Sequence, residues 1–405
     1  MNPYRSIVIL SLSLLMFGCA GSKPAPTTDE PFQFSAESPY RNLDEVKDET
    51  IVHVPTGIEV TKEQLFDIIG QSRIIYVGET HTNIFDHRVE LEVIKALSEK
   101  FPGRIAVGME MFNTSTQPQL DLWSRGELDD KSFAKTWYTS WDQDMDYYRE
   151  ILYFIRDMKI PLIGLNAPQK QVHELGQKGL EGLSETERSE LPEFDKDDPY
   201  HRRSMEAIFG GHVHGKKGFD PFYQTMLLWD ETMAQSVVRY LSPPEHRQMK
   251  MVVLSGGFHV SFGFGIPRRV FRRMPDPYSI VLPYTARLPE GKEYAAMPNV
   301  SPVDIPLPIA DFVWAVPYDD LEGKGVRLGV GIEPSDKGVL VRSVTPESPA
   351  EKAGIQPGDI ITDFGDEPIL EPFDLIYLIK QKRAGDTATA KVLRGDKMVN
   401  IDVEF

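Results

Sequence analysis

Cysteine is almost missing from this chain: there is one, Cys19, in 405 residues. A lone cysteine rules out an internal disulfide and any zinc or iron–sulfur centre built on thiolates, so stability must come from a packed core, which this length can bury. Soft-metal chemistry then falls to histidine. Positive charge is also short, with 44 Lys and Arg against 61 Asp and Glu and a formal net charge of -17. That balance argues against nucleic acid as a partner and against broad adhesion to anionic lipid. The chain has no His-Glu-x-x-His, no Gly-x-Ser-x-Gly and no phosphate loop.

What is present begins with residues 1–18, which read as a secretory signal: Arg5 lies in a short basic region, and the apolar stretch Ile7 to Phe17 is too short for a permanent membrane span. Cys19 follows Leu15-Met16-Phe17-Gly18 and resembles the lipidated cysteine of a bacterial lipobox, although Met16 and Phe17 depart from the usual residues. Ala20 resembles the outer-membrane sorting pattern of Gram-negative lipoproteins. The expectation is a lipid-anchored protein of the Gram-negative cell envelope, at the outer membrane, with a second acyl chain to make the anchoring stable. Residues 19–45 read as a linker.

Beyond the linker, one pattern recurs. Arg73-Ile74-Ile75-Tyr76-Val77-Gly78 runs into Glu79-Thr80-His81, Ile105-Ala106-Val107-Gly108 into Met109-Glu110, Ile160 to Leu165 into Asn166, and Met251 to Leu254 into Ser255-Gly256-Gly257-Phe258-His259. Each is a β-branched apolar run stopping at a polar residue, the mark of a buried strand with chemistry at its carboxyl end. The fold class is therefore α/β: a mostly parallel sheet flanked by helices, with a ligand crevice at the strand carboxyl ends where Glu79, His81, Glu110, Asn166 and His259 meet. Helical spacing is expected over Phe85 to Leu97 and Leu227 to Leu241, further strands over Tyr278 to Leu282 and Phe312 to Val316, and an irregular proline-rich strap over Pro283 to Pro308. This module spans 46–317.

After a second linker, 318–323, residues 324–405 turn glycine-rich with short β runs and a helix over Phe373 to Lys382. Arg327-Leu328-Gly329-Val330, followed by Ser348-Pro349-Ala350 and Gly354-Ile355-Gln356-Pro357-Gly358-Asp359, resembles a small β-rich PDZ domain of the bacterial HtrA type. The turn at Gly329 would present backbone amides to a peptide carboxylate, and the strand through Val330, Gly331 and Ile332 would add an extended peptide. Arg327 to Ile332 are thus the peptide-binding candidates, with a protein C-terminus as partner and Leu375, Ile376 and Ile379 lining the groove. No serine protease domain precedes it, so the HtrA likeness carries no protease activity with it. An inert spacer is the competing reading.

Gly78-Glu79-Thr80-His81 with Asp86-His87, Asn166-Ala167-Pro168, Trp229 to Ala234 and Gly256-Gly257-Phe258-His259 resemble, in order, the ChaN family of haem-binding lipoproteins in the Tiki superfamily. The resemblance implies haem as cofactor, a role in haem or iron acquisition and a homodimer with a tyrosine on iron. Tyr147 and Tyr148 stand in an aromatic-rich insertion with Trp137, Tyr138 and Trp141 that either walls a porphyrin or forms the core of a helical cap. His214, in the loop Gly210 to Gly215, is another candidate. The haem-site set is His81, His87, Glu110, Asn166, Asp230, His259, Tyr147, Tyr148 and His214. His87 stands six residues past His81, so the two can act together only if His81 precedes the helix. His53, His173, His201 and His246 are expected at the surface.

Two rival readings remain open. In a metal-dependent hydrolase or peptidase of the Tiki type, His81 and His259 with Glu110 or Asp230 would hold a divalent ion, and Glu79 would activate its water, making Glu79, His81 and His259 catalytic. In an envelope adaptor, the lipid anchors the chain, the PDZ domain recruits a partner and the large domain is scaffold.

Overall fold

The computed structural model describes residues 42–211, 218–292 and 307–405. Cys19, His212, His214 and residues 293–306 of the proline-rich segment lie outside the described residues. Eight strands form the first sheet: β1 (Ile51–His53), β2 (Ile58–Val60), β3 (Ile74–Glu79), β4 (Ile105–Asn113), β5 (Leu162–Asn166), β6 (Lys250–Gly256), β7 (Tyr278–Tyr284) and β8 (Phe312–Ala315), in the order β2-β1-β8-β7-β3-β6-β4-β5.

From β8 to β5 all neighbours are parallel, and β1 and β2 add antiparallel at one edge. The unbroken apolar runs explain the parallel core: Ile74 to Val77, Ile105 to Val107 and Met251 to Leu254 are buried throughout, as strands covered on both faces must be. The strap begins later than expected. Pro283 lies inside β7, paired with Trp314 of β8.

Helices cover both faces. Ile84–Lys100 follows β3, capped by Asn83, whose side chain accepts from the Phe85 amide. On its side lie Val93, Ile94 and Leu97 with the aromatic insertion, where Trp123 and Phe133 stack at 3.8 Å and 9°. Trp137 is fully buried there and donates Nε1–H to the Gln143 carbonyl, 2.9 Å away. Most of the insertion is therefore cap core. The opposite face is covered by Phe219–Leu241 and Ile266–Arg273, which bury Met233, Val237, Leu241, Ile266 and Val270. Among the described residues no helix is long and apolar enough to cross a membrane.

The C-terminal domain is an antiparallel sheet of β9 (Val330–Ser335), β10 (Gly338–Val344), β11 (Ile360–Phe364), β12 (Glu367–Pro368), β13 (Thr387–Arg394) and β14 (Lys397–Glu404), ordered β14-β13-β11-β10-β9 with β12 on β11. Helix Pro372–Lys380 closes it over Leu328, Val339, Phe364 and Leu375. The same helix meets Asp130–Ser140 of the first domain through Lys131–Asp374 at 2.7 Å and Lys135–Glu371 at 2.5 Å, and through the rings of Tyr138 and Phe373 at 6.3 Å.

Candidate functional site

The glycine one residue before the end of β3 has a packing reason. A Cβ on Gly78 would lie 2.3 Å from Leu282 Cδ2 and 2.9 Å from Gly257 Cα, so only a bare backbone lets the end of β3 touch the turn after β6. This contact brings the motifs at residues 79–81 and 256–259 together.

Glu79 is fully buried. Its Oε1 accepts from His81 Nδ1 and from the Tyr148 hydroxyl, both at 2.6 Å, and its Oε2 lies 2.8 Å from His87 Nδ1. Burial pushes its carboxyl up, but the His87 and His81 charges outweigh this and hold it well below the usual range. Burial lowers His81, and the Glu79 carboxylate more than reverses that. With Nδ1 on Glu79, the His81 Nε2 is left facing Gly256, 3.1 Å from where a Cβ would stand.

A second imidazole mirrors the first. His259 Nδ1 donates to Asp230 Oδ1 at 2.5 Å, and its Nε2 lies 3.3 Å from Glu110 Oε1. Glu110 Oε2 accepts the Gly256 amide at 2.7 Å. Burial works against the charge on His259, yet Glu110 and Asp230 hold the ring well above its ordinary pKa. Asp230 also receives His201 Nε2 on its other oxygen at 2.8 Å. His201 is therefore no surface residue: it is fully buried, because the buried Asp230 needs a donor on each oxygen.

Between the two imidazoles opens a cavity of about 670 Å³, within the range of small-molecule and cofactor sites. His81, Glu110 and His259 form its polar floor, with Asn113 and Asn166 beside them. Trp141, Phe222, Met226, Trp229 and Phe258 form apolar walls, and the exposed His173 joins the lining. The Trp141 ring meets His81 edge-on at 5.0 Å.

Other candidates stand back from this space. Tyr148 is fully buried behind Glu79, and Tyr147 accepts the Leu321 amide at 2.9 Å. His87 is buried in helix Ile84–Lys100, with His81 in the turn before it, and Asp230 lies behind His259. Burial pushes Asp86 up to about 7 and Glu90 up to about 8. Glu90, Phe222 and Met226 escaped the sequence reading, and Trp229 stood in it only as part of the Trp229 to Ala234 motif. Glu90 was the most legible of them, three residues after His87 on one helix face.

In the C-terminal domain a groove of about 640 Å³ is lined by Arg327 to Ile332 on one side and by Leu375, Ile376 and Ile379 on the other. Gly329 has φ +82°, and a Cβ there would meet Ser348 Cβ at 2.2 Å. Asp144 and Asp146 of the first domain reach its rim, and Lys380 pairs with Asp144.

Comparison with known proteins gives a consistent result. Residues 65–270 match the haem-binding uptake, Tiki superfamily, ChaN family, and residues 326–405 match the PDZ domain. RETICULATA-RELATED 5, chloroplastic, of Arabidopsis thaliana is 24% identical over 292 residues, covering 66% of this chain and 37% of that protein. A probable periplasmic serine endoprotease, DegP-like, of Marinomonas sp. is 42% identical over 66 residues, 16% of this chain and 14% of its own. The chain thus spans well under two thirds of either relative. A solved ChaN of Campylobacter jejuni, described as binding haem cofacially, shares the fold with a TM-score of 0.51 at 16% identity, covering 66% of this chain and 96% of that one. With half of its length matched, this chain belongs to the haem-binding uptake, Tiki superfamily, ChaN family and carries a PDZ domain behind the ChaN domain.

Proposed function

We propose that the chain binds haem in the cavity between His81 and His259, with His81 Nε2 as the iron ligand. One observation carries this reading: His81 presents Nε2 to an aromatic-walled space while Glu79 holds Nδ1. A carboxylate on the far nitrogen fixes the ring and makes Nε2 a stronger donor. The residues fit the group: Trp141, Phe222 and Trp229 offer apolar faces to a porphyrin, and Asn113, Asn166 and Gln169 offer polar contacts to its propionates. Haem, when bound, would supply iron to be stored or passed on. The chain's own part is to hold the ring, fix the ligand and limit water.

The wider role follows from the two ends. Lipidation at Cys19 would hold the protein at the outer membrane of a Gram-negative envelope, where haem or iron is acquired. The PDZ groove would take a partner's C-terminal peptide, with the Gly329 turn meeting the carboxylate and β9 adding the peptide as a strand. The chain would act as a homodimer if two copies bring their haems together cofacially, the arrangement described for the Campylobacter jejuni protein.

A second reading is a hydrolase, favoured by the two imidazoles, each with a buried carboxylate on Nδ1 and with Glu110 beside them. In it the water-activating role passes from Glu79, whose oxygens are taken up by His81, Tyr148 and His87, to His81 or Glu110. Haemin titration of the chain from residue 20 onward separates the two. Saturable binding with a shifted Soret band supports haem handling, whereas no saturation together with cleavage of peptide or ester substrates supports the hydrolase.

A further inference from the structure

Behind the cavity wall lies a second group of side chains, of which only Glu79, through its other oxygen, supports the proposed haem ligand. Glu79, His87 and Glu90 are all buried, and one donor atom from each lies within 4.8 Å of the others. His87 Nδ1 stands 2.9 Å from Glu90 Oε2 and 2.8 Å from Glu79 Oε2. One proton on Nδ1 is shared between them: the better-aligned hydrogen bond runs to Glu90, and this His87 contact is all that Glu79 Oε2 has. Glu90 Oε1 is buried without a hydrogen-bond partner. A buried carboxylate oxygen without a donor beside one that shares its donor is rare in a folded protein.

The other ring nitrogen indicates what belongs there. His87 Nε2 lies 3.2 Å from the His81 carbonyl oxygen, which can only accept, so Nε2 carries the hydrogen. Burial lowers the His87 pKa, but Glu79 and Glu90 hold the ion-free ring protonated, well above its ordinary value; an ion would take the place of the Nδ1 proton and receive that lone pair. An imidazole whose far N–H is tied to a backbone carbonyl is the usual state of a metal-bound histidine. Separations of 2.8 and 2.9 Å suit neighbouring ligands at about 2.0–2.2 Å from one ion.

We propose that Glu79, His87 and Glu90 bind a divalent first-row transition ion, Zn²⁺ or Mn²⁺ in kind, through one imidazole nitrogen and two carboxylates. The charges close: two carboxylates and a neutral imidazole balance the ion, leaving no net charge in a buried space. Calcium, which needs 6–8 oxygens, does not suit so few ligands. The ion would bind Glu79 Oε2 while Oε1 holds His81, which puts it one carboxylate away from the cavity and makes it a support for the cavity imidazole. This site is separate from the His81 and His259 pair.

Because the site is buried, loading is tested by refolding the full chain from denaturant with Zn²⁺ or Mn²⁺, followed by gel filtration and elemental analysis. The expected result is one tightly held ion per chain and a raised thermal midpoint, both lost in Glu90→Gln and kept in His259→Ala. X-ray absorption on the wild-type chain, which needs no variant, should show a first shell of one nitrogen with oxygens. No retained ion, or retention lost in His259→Ala and unchanged in Glu90→Gln, would overturn the proposal.

Discussion

The Tyr148 hydroxyl and the Glu79 carboxylate meet at 2.6 Å in the buried interior, on the same oxygen that holds His81 Nδ1. Tyr148 belongs to the aromatic cap and Glu79 to the central strand, so this bond ties the cap to the orientation of the cavity imidazole. Burial and the Glu79 charge both push the Tyr148 phenol well above its ordinary pKa, so it stays a donor at any working pH.

Tyr148→Phe removes that donor and leaves the ring packing in place. A hydrogen bond to a charged partner contributes about 1.5–3 kcal/mol, so urea unfolding should show a loss of that order. Haem affinity should fall only modestly, because Tyr148 does not line the cavity. Unchanged stability would mean that the bond is not made.

Gly78→Ala places a methyl group 2.3 Å from Leu282 and against the Gly257 backbone. Overpacking of this kind costs about 1–3 kcal/mol, and here it should also part β3 from the turn bearing His259. Thermal unfolding and haemin titration should decline together.

The C-terminal domain has its own pH dependence. Burial raises the Asp359 carboxyl, but Arg394, bonded to both its oxygens at 2.7 Å, outweighs this and holds it below the usual range. A depressed carboxylate pKa gives stability that is present above the unfolded value of about 3.9 and lost as pH falls through the folded value. The unfolding midpoint of this domain should therefore drop below about pH 4, and Asp359→Asn should flatten the drop while costing about 1–2 kcal/mol at neutral pH, since Arg394 is partly exposed and screened.

Lys380→Glu sets a like charge against Asp144, at the rim of the peptide groove and on the helix that docks on the first domain. The linker around residues 318–323 should then be cut faster in limited proteolysis. Equal rates would show that the remaining contacts, Lys131–Asp374, Lys135–Glu371 and Tyr138 against Phe373 among them, hold the domains without Lys380.

The strands were legible because parallel strands buried on both faces must be continuously apolar, and their ends gave Glu79, His81, Glu110, Asn166 and His259. The helices reach further than their apolar spacing suggested, Ile84–Lys100 against Phe85 to Leu97 and Phe219–Leu241 against Leu227 to Leu241, because caps and tertiary contacts set their ends. His201 was illegible: nothing near it in sequence signals a bond to Asp230, 29 residues away. Part of the cavity wall was hidden for the same reason, since Phe222 and Met226 lie on a helix whose spacing also fits plain core, whereas Trp141 and Trp229 stand in stretches the sequence marks. The aromatic-rich insertion marks Tyr147 and Tyr148 as porphyrin contacts, and their hydroxyls turn instead to Leu321 and Glu79.

The most direct test of the haem reading is titration of wild-type and His81→Ala protein with haemin, read by Soret absorbance and by resonance Raman in the ferrous state. The expected result is saturable wild-type binding with an iron–imidazole stretch that is lost in His81→Ala, with affinity lowered at least tenfold. Binding and spectra unchanged by the substitution would contradict His81 as the iron ligand.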